Sequence, residues 1–136
     1  MNTPEFILPP GWKRPKGYSN AVVLPRGREL FVAGMVGWDV NEKLVPGGFV
    51  AQFAQALRNI RYCVEAAGSK VEYLGRVNIY VTDKSLYAGN LKAVGETWRE
   101  VMGRHYPAMA LLEVKGLLEP GALVEVEATG VVPDQV

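Results

Sequence analysis

Two glutamates two residues apart are the part of this sequence best suited to proton chemistry. In Leu123-Val124-Glu125-Val126-Glu127-Ala128, strand alternation puts Val124, Val126 and Ala128 on one face and Glu125 with Glu127 on the other. Two residues of strand rise separate their β-carbons by on the order of 7 Å. Carboxylates that close, in a partly dry site, push one pKa upward and make a proton shuttle available. The same spacing also describes a solvated sheet face, and on these residues alone both readings stand. The remaining reactive side chains are sparse. His105, the one histidine, sits beside Gly103-Arg104 at a helix end and reads as a surface or capping residue. Cys63, the one cysteine, reads as an inert buried thiol of an amphipathic helix. Neither belongs to a metal-ligand spacing, so no metal and no internal disulfide are expected.

The elements that must position the glutamates follow from periodicity. The stretch 4–16 holds four prolines with Gly11 and Trp12, and is expected to be an ordered, irregular arm, because Phe6, Ile7, Leu8 and Trp12 are too apolar for a free tail. Ala21–Leu24 and Glu29–Val36 are strand-like and, across Pro25-Arg26-Gly27, suggest a hairpin. Phe49, Phe53, Leu57, Ile60 and Val64 recur at helical spacing, with Gln52, Gln55, Arg58 and Glu65 on other sides and Gly68 as the C-terminal cap. Val77, Ile79 and Val81 alternate with Asn78 and Tyr80, a half-buried strand. Asp83 caps a second helix expected to run to about Gly103, with Trp98 among its apolar residues. Strands at Met109–Val114 and Leu123–Val132 close an α+β order. Two helices cover one sheet face, so the other needs a cover, and association of copies supplies it.

Composition narrows the partners. The 136 residues, 49% hydrophobic, suffice for one domain spanning 1–136 with 1–16 as the arm. A net charge of +1 with scattered lysines and arginines gives no reason to expect nucleic acid. Met1 to Pro10 lacks the basic and apolar regions of a signal peptide, and no apolar run approaches the roughly 20 residues of a membrane span. A cytoplasmic protein is the expectation.

Short stretches in order along the chain carry a resemblance. They are Gly17-Tyr18-Ser19, Ala21-Val22, Leu30-Phe31-Val32-Ala33-Gly34, Gln52 and Gln55-Ala56-Leu57-Arg58-Asn59-Ile60. Val64-Glu65-Ala66-Ala67-Gly68, Tyr80-Val81-Thr82-Asp83, Asn90, Tyr106-Pro107-Ala108 and Val124-Glu125-Val126-Glu127-Ala128 continue the series. The chain thereby resembles the Rid family (reactive intermediate deaminases, also called the YjgF family) over nearly its whole length.

That resemblance implies a chorismate-mutase-like α+β fold, a mixed sheet with two helices on one face. It also implies a homotrimer whose sheets form a central barrel with clefts between subunits. Archetypal members hydrolyse short-lived imines and enamines such as 2-aminoacrylate, without metal or cofactor. Carried over, Glu125 positions the attacking water and handles its proton, Tyr18 helps close the cleft, and Asn90 matches a polar position. The arginine that follows Pro-Ala and grips the substrate carboxylate is replaced here by Met109. Losing such a charge-assisted contact costs about 3 kcal/mol, or roughly a hundredfold in affinity. Ala33 and Met35 stand where many members have serine and glutamine, and Met109 is expected to line the same, less polar pocket. Trp38 is read either as a pocket wall or as interface packing, and Glu127 as a supporting residue.

Two functions remain open. One is a hydrolase of an imine, enamine or related small metabolite other than 2-aminoacrylate. The other is a non-catalytic, metabolite-binding or regulatory trimer. Arg14, four residues before Tyr18, could supply the missing cation from another direction. A ribonuclease role, which has also been attached to the family, finds little support in the balanced charge.

Overall fold

Valine, isoleucine and leucine at alternate positions build a sheet whose one face is buried under two helices. A computed structural model describes residues 3–135. Four strands, β3 (Gly27–Val36), β4 (Leu74–Val81), β5 (Ala108–Glu113) and β6 (Val124–Pro133), pair in the order β3-β6-β4-β5. β6 runs antiparallel to both β3 and β4, and β4 runs parallel to β5, so the sheet is mixed. Val77, Ile79, Val81, Val124 and Val126 are fully buried on the helix side. Each such side chain contributes about 1.5–3 kcal/mol relative to exposure.

Helix α1 (Phe49–Ala66) supplies Phe53, Leu57, Ile60 and Val64 to that core. It ends as expected at Gly68, whose φ of 85° suits glycine, with Gly68 N–H donating to Glu65 O and Ser69 N–H to Val64 O. Gln52, however, is buried rather than outward: its Nε2 donates to Gly121 O at 3.2 Å and its Oε1 accepts from Leu123 N at 2.8 Å. It lies one position before Phe53 on the margin of the apolar stripe, and it clamps α1 to the loop entering β6. Cys63 falls off the other margin and is exposed, contrary to the expectation of a buried thiol.

Three further expectations are corrected. The second helix is two, α2 (Lys84–Ala88) and α3 (Leu91–Met102), broken at Gly89-Asn90. Both are weak helix formers, and the Asn90 amide donates to Leu86 O at 2.6 Å, competing with the helical ladder. The helix start does hold, with Asp83 Oδ1 accepting from Ser85 N at 2.9 Å. The hairpin across Pro25 does not form. β2 (Ala21–Val23) pairs instead with β1 (Glu5–Ile7), a strand within the supposedly irregular arm. Pro25 cannot take the positive φ that tight hairpin turns favour. Gly27, where a side chain would collide with Val132 O, is needed for close approach to β6. Lastly, His105 is buried, not capping: its Nε2 lies 2.7 Å from Leu74 O, and Trp98 Nε1 donates to His105 O at 2.9 Å. Trp98 is core, whereas Trp12 is 60% exposed. No helix among the described residues is long and apolar enough to cross a membrane.

Candidate functional site

The uncovered face of the sheet gathers the polar side chains that alternate with the core. Register aligns Glu125 with Tyr80 and Glu127 with Asn78 across the antiparallel β4–β6 pair. Tyr80 and Asn78 were legible only as the polar half of a strand, and they prove to organise the carboxylates. The Tyr80 hydroxyl donates to Glu127 Oε1 at 2.5 Å, reaching the diagonal neighbour, and Asn78 Nδ2 donates to the same oxygen at 3.3 Å. The hydrogen bond to Glu127 raises the Tyr80 pKa, and burial and the charges of Glu127 and Glu125 push it the same way. Tyr80 therefore stays protonated and donating.

Neither Tyr80 nor Asn78 bonds Glu125. Its carboxylate instead occupies space left by Gly34: a β-carbon there would collide with Glu125 Oε2. Gly34 and Ala33 form the irregularity between Val32 and Met35 where β3 shifts register against β6. Such bulges re-aim side chains at sheet margins. Ala33 is exposed beside this opening, while Met35 pairs with Val126 and packs against the core. Asn59 Nδ2 donates to Val36 O and Trp38 O, tying this end of β3 to α1 and fixing Trp38, which is part-exposed.

The remaining sequence-derived candidates are placed elsewhere in the chain. Met109 pairs with Val77, which puts it on the helix side of the sheet, packed against the core and across the sheet from Glu125. Asn90 spends its amide on Leu86 O at the α2–α3 break. Tyr18 is 43% exposed. Its neighbour Ser19 staples the arm to the approach to β5: Ser19 N–H donates to Pro107 O at 3.0 Å, Ser19 Oγ donates to Tyr106 O at 2.5 Å, and Ser19 bridges to Ala108. The motifs Gly17-Tyr18-Ser19 and Tyr106-Pro107-Ala108 thus meet. Beside that junction Tyr18 and Arg14 line a cavity of about 550 Å³. Among the described residues no group of three or more His, Cys, Asp or Glu is placed to hold a metal ion.

Comparison with known proteins agrees with this architecture. A family model described as "Endoribonuclease L-PSP" matches residues 12–132. The chain is 31% identical to the 2-iminobutanoate/2-iminopropanoate deaminase of Capra hircus over 115 residues, 84% of this chain and 79% of that protein. Among solved structures, a Rid-family protein of Yersinia pestis superposes with a TM-score of 0.84 at 32% identity, covering 96% of this chain and 99% of the other. A member of the YjgF/YER057c/UK114 family from Mycobacterium tuberculosis gives 0.64 at 35% identity, over 86% and 88% of the two chains.

Proposed function

Because this chain belongs to the endoribonuclease L-PSP (Rid, YjgF) family, we propose that it is a hydrolase of a reactive imine or enamine. The observation that carries this reading is the division of labour between the paired carboxylates. Tyr80 and Asn78 both engage Glu127, while Glu125 stands beside the side-chain-free Gly34. Glu125 then accepts a proton from water as the water oxygen bonds to the imine carbon and the C=N pair moves to nitrogen. The proton passes to that nitrogen to give a carbinolamine. Glu125 then moves the hydroxyl proton to the same nitrogen, the C–N bond breaks as the C=O bond forms, and ammonia leaves a carbonyl product. Glu127, held by its two donors, fixes the strand and the local charge. The relatives named as 2-iminobutanoate/2-iminopropanoate deaminases support this class of reaction at about the same identity.

The assembly we propose is a homotrimer with small-molecule clefts between copies. Phe31, 71% exposed at a register position shared with Thr129, and Leu112, which registers with Tyr80, lie on the uncovered face and favour its burial against another copy. Met109 lies across its own sheet from Glu125, so a cleft lined by both takes one from each of two copies. With methionine at that position, the substrate differs from 2-aminoacrylate in depending less on a carboxylate grip there.

The test generates 2-aminoacrylate from serine with a dehydratase, and other imines with an amino-acid oxidase, and follows carbonyl product. Acceleration of at least one imine that Glu125→Gln abolishes supports the hydrolase. A second reading, a non-catalytic metabolite-binding trimer, is favoured by the packing of Met35 and Met109 into the core, which leaves no cation at either place. Inertness toward every imine, persisting in Met109→Arg, would favour it.

A further inference from the structure

The cavity beside Tyr18 carries a charge pattern that the hydrolytic site does not explain. Its charged lining residues are Arg14, Lys16 and Arg104, and no aspartate or glutamate lines it among the described residues. Two of the cations come from the arm and one from the segment after α3, and the cluster forms where Ser19 staples the arm to Tyr106 and Pro107 and Phe6 packs on His105. The sequence separation of Arg14 and Arg104 hides it from any local motif. We propose that this cavity is an anion subsite that takes a small organic dianion.

Three arguments converge on that ligand. Like charges gathered around one concavity repel one another, and low-dielectric walls focus their field, so the arrangement favours an anionic occupant. Three cations with no counter-carboxylate match a doubly charged group better than a monocarboxylate. The volume of about 550 Å³ falls in the usual range of ligand pockets and leaves room for such a dianion. Location adds a fourth point. Ser19 bridges to Ala108, the first residue of β5, so the cations flank the start of that strand. Nucleic acid is the weaker fit, because the cations surround one concavity on a chain of net charge +1.

Identifying the dianion with the substrate rests on the hydrolase reading; the binding itself does not. Calorimetric titration of the full chain with succinate, inorganic phosphate and acetate at low and at ~0.15 M ionic strength tests it. Succinate or phosphate is expected to bind at least tenfold more tightly than acetate, and the better of the two distinguishes a dicarboxylate from a phosphoryl ligand. Arg14→Gln, Lys16→Gln and Arg104→Gln should each weaken that binding roughly three- to tenfold and the triple variant should abolish it. Lys115→Gln, remote from the cavity lining, should leave it unchanged. The proposal is overturned if neither dianion outbinds acetate, or if the triple variant binds as the parent does. It is equally overturned if only a single-stranded RNA oligomer binds. Loss of the oligomer in the single variants without any anion binding would make the cavity a subunit contact instead, and also overturns it. Imine hydrolysis that is absent while dianion binding persists would sink the hydrolase reading alone.

Discussion

The two sides of β6 are written in alternate letters of one short sequence, and they differ in almost every physical respect. Toward α1 and α3, Val124, Val126 and Ala128 are buried among aliphatic side chains. Toward the uncovered face, Glu125 and Glu127 stand with Tyr80 and Asn78, none of them fully buried. One side holds the fold and the other is free to hold chemistry, because a strand presents successive residues to opposite faces. The difference teaches that the uncovered face can change composition without touching the core, whereas a change at Met109, on the helix side, cannot.

The sharpest break of that division would be a core change that alters catalysis, or a carboxylate change that alters stability. Phe53→Ala empties a fully buried position and should cost about 4 kcal/mol in urea unfolding, with the imine-hydrolysis rate per folded molecule unchanged. Glu125→Gln should do the reverse. Its rate should fall by at least roughly a hundredfold, while stability stays within about 0.5 kcal/mol of the parent. Equal loss of stability and rate in either variant would break the comparison. Tyr80→Phe is intermediate, since it leaves Glu127 with Asn78 as its only side-chain donor of the two. A cost of about 1 kcal/mol and a several-fold slower rate are expected, and no change in rate would mean that Glu127 plays no part in the chemistry.

Legibility from sequence divides along the same line. The core face was readable because period 2 in β4 and β6 and the Phe53-Leu57-Ile60-Val64 spacing are local signals. The Glu125 and Glu127 face followed from the same alternation, and the family resemblance marked Glu125. What escaped were long-range pairings. Nothing near Ala21 announces that Glu5–Ile7 is its partner, and nothing near Gln52 shows that its amide bridges Gly121 and Leu123. Gly34 could be read as punctuation, but not as room for a carboxylate ninety-one residues later. Arg104 and Lys16 were invisible as a pair because only tertiary contacts, the Ser19 staple and the Phe6–His105 packing, bring their segments together.

The smallest expected effect probes whether the helix side is indifferent to pH. Of the buried polar residues Gln52, Ser69, Thr97 and His105, only His105 ionises. Burial lowers its pKa, opposed in part by the hydrogen bond to Leu74 O and by the charge of Glu72. The unfolded chain therefore binds a proton at higher pH than the native one does. The contribution of His105 to stability is fully present above its unfolded pKa of about 6.5 and is lost as pH falls from there through the lower folded value. Phe6 of the arm makes a T-shaped contact with the His105 ring at 5.6 Å between centroids, which joins the arm to this buried group. Urea midpoints measured from pH 8 down to pH 5 should fall modestly in the parent. The fall should be smaller in His105→Gln, whose amide can still donate to Leu74 O. An equal fall in both proteins would put the titration outside the core, and the helix side would then be the pH-blind half of the molecule.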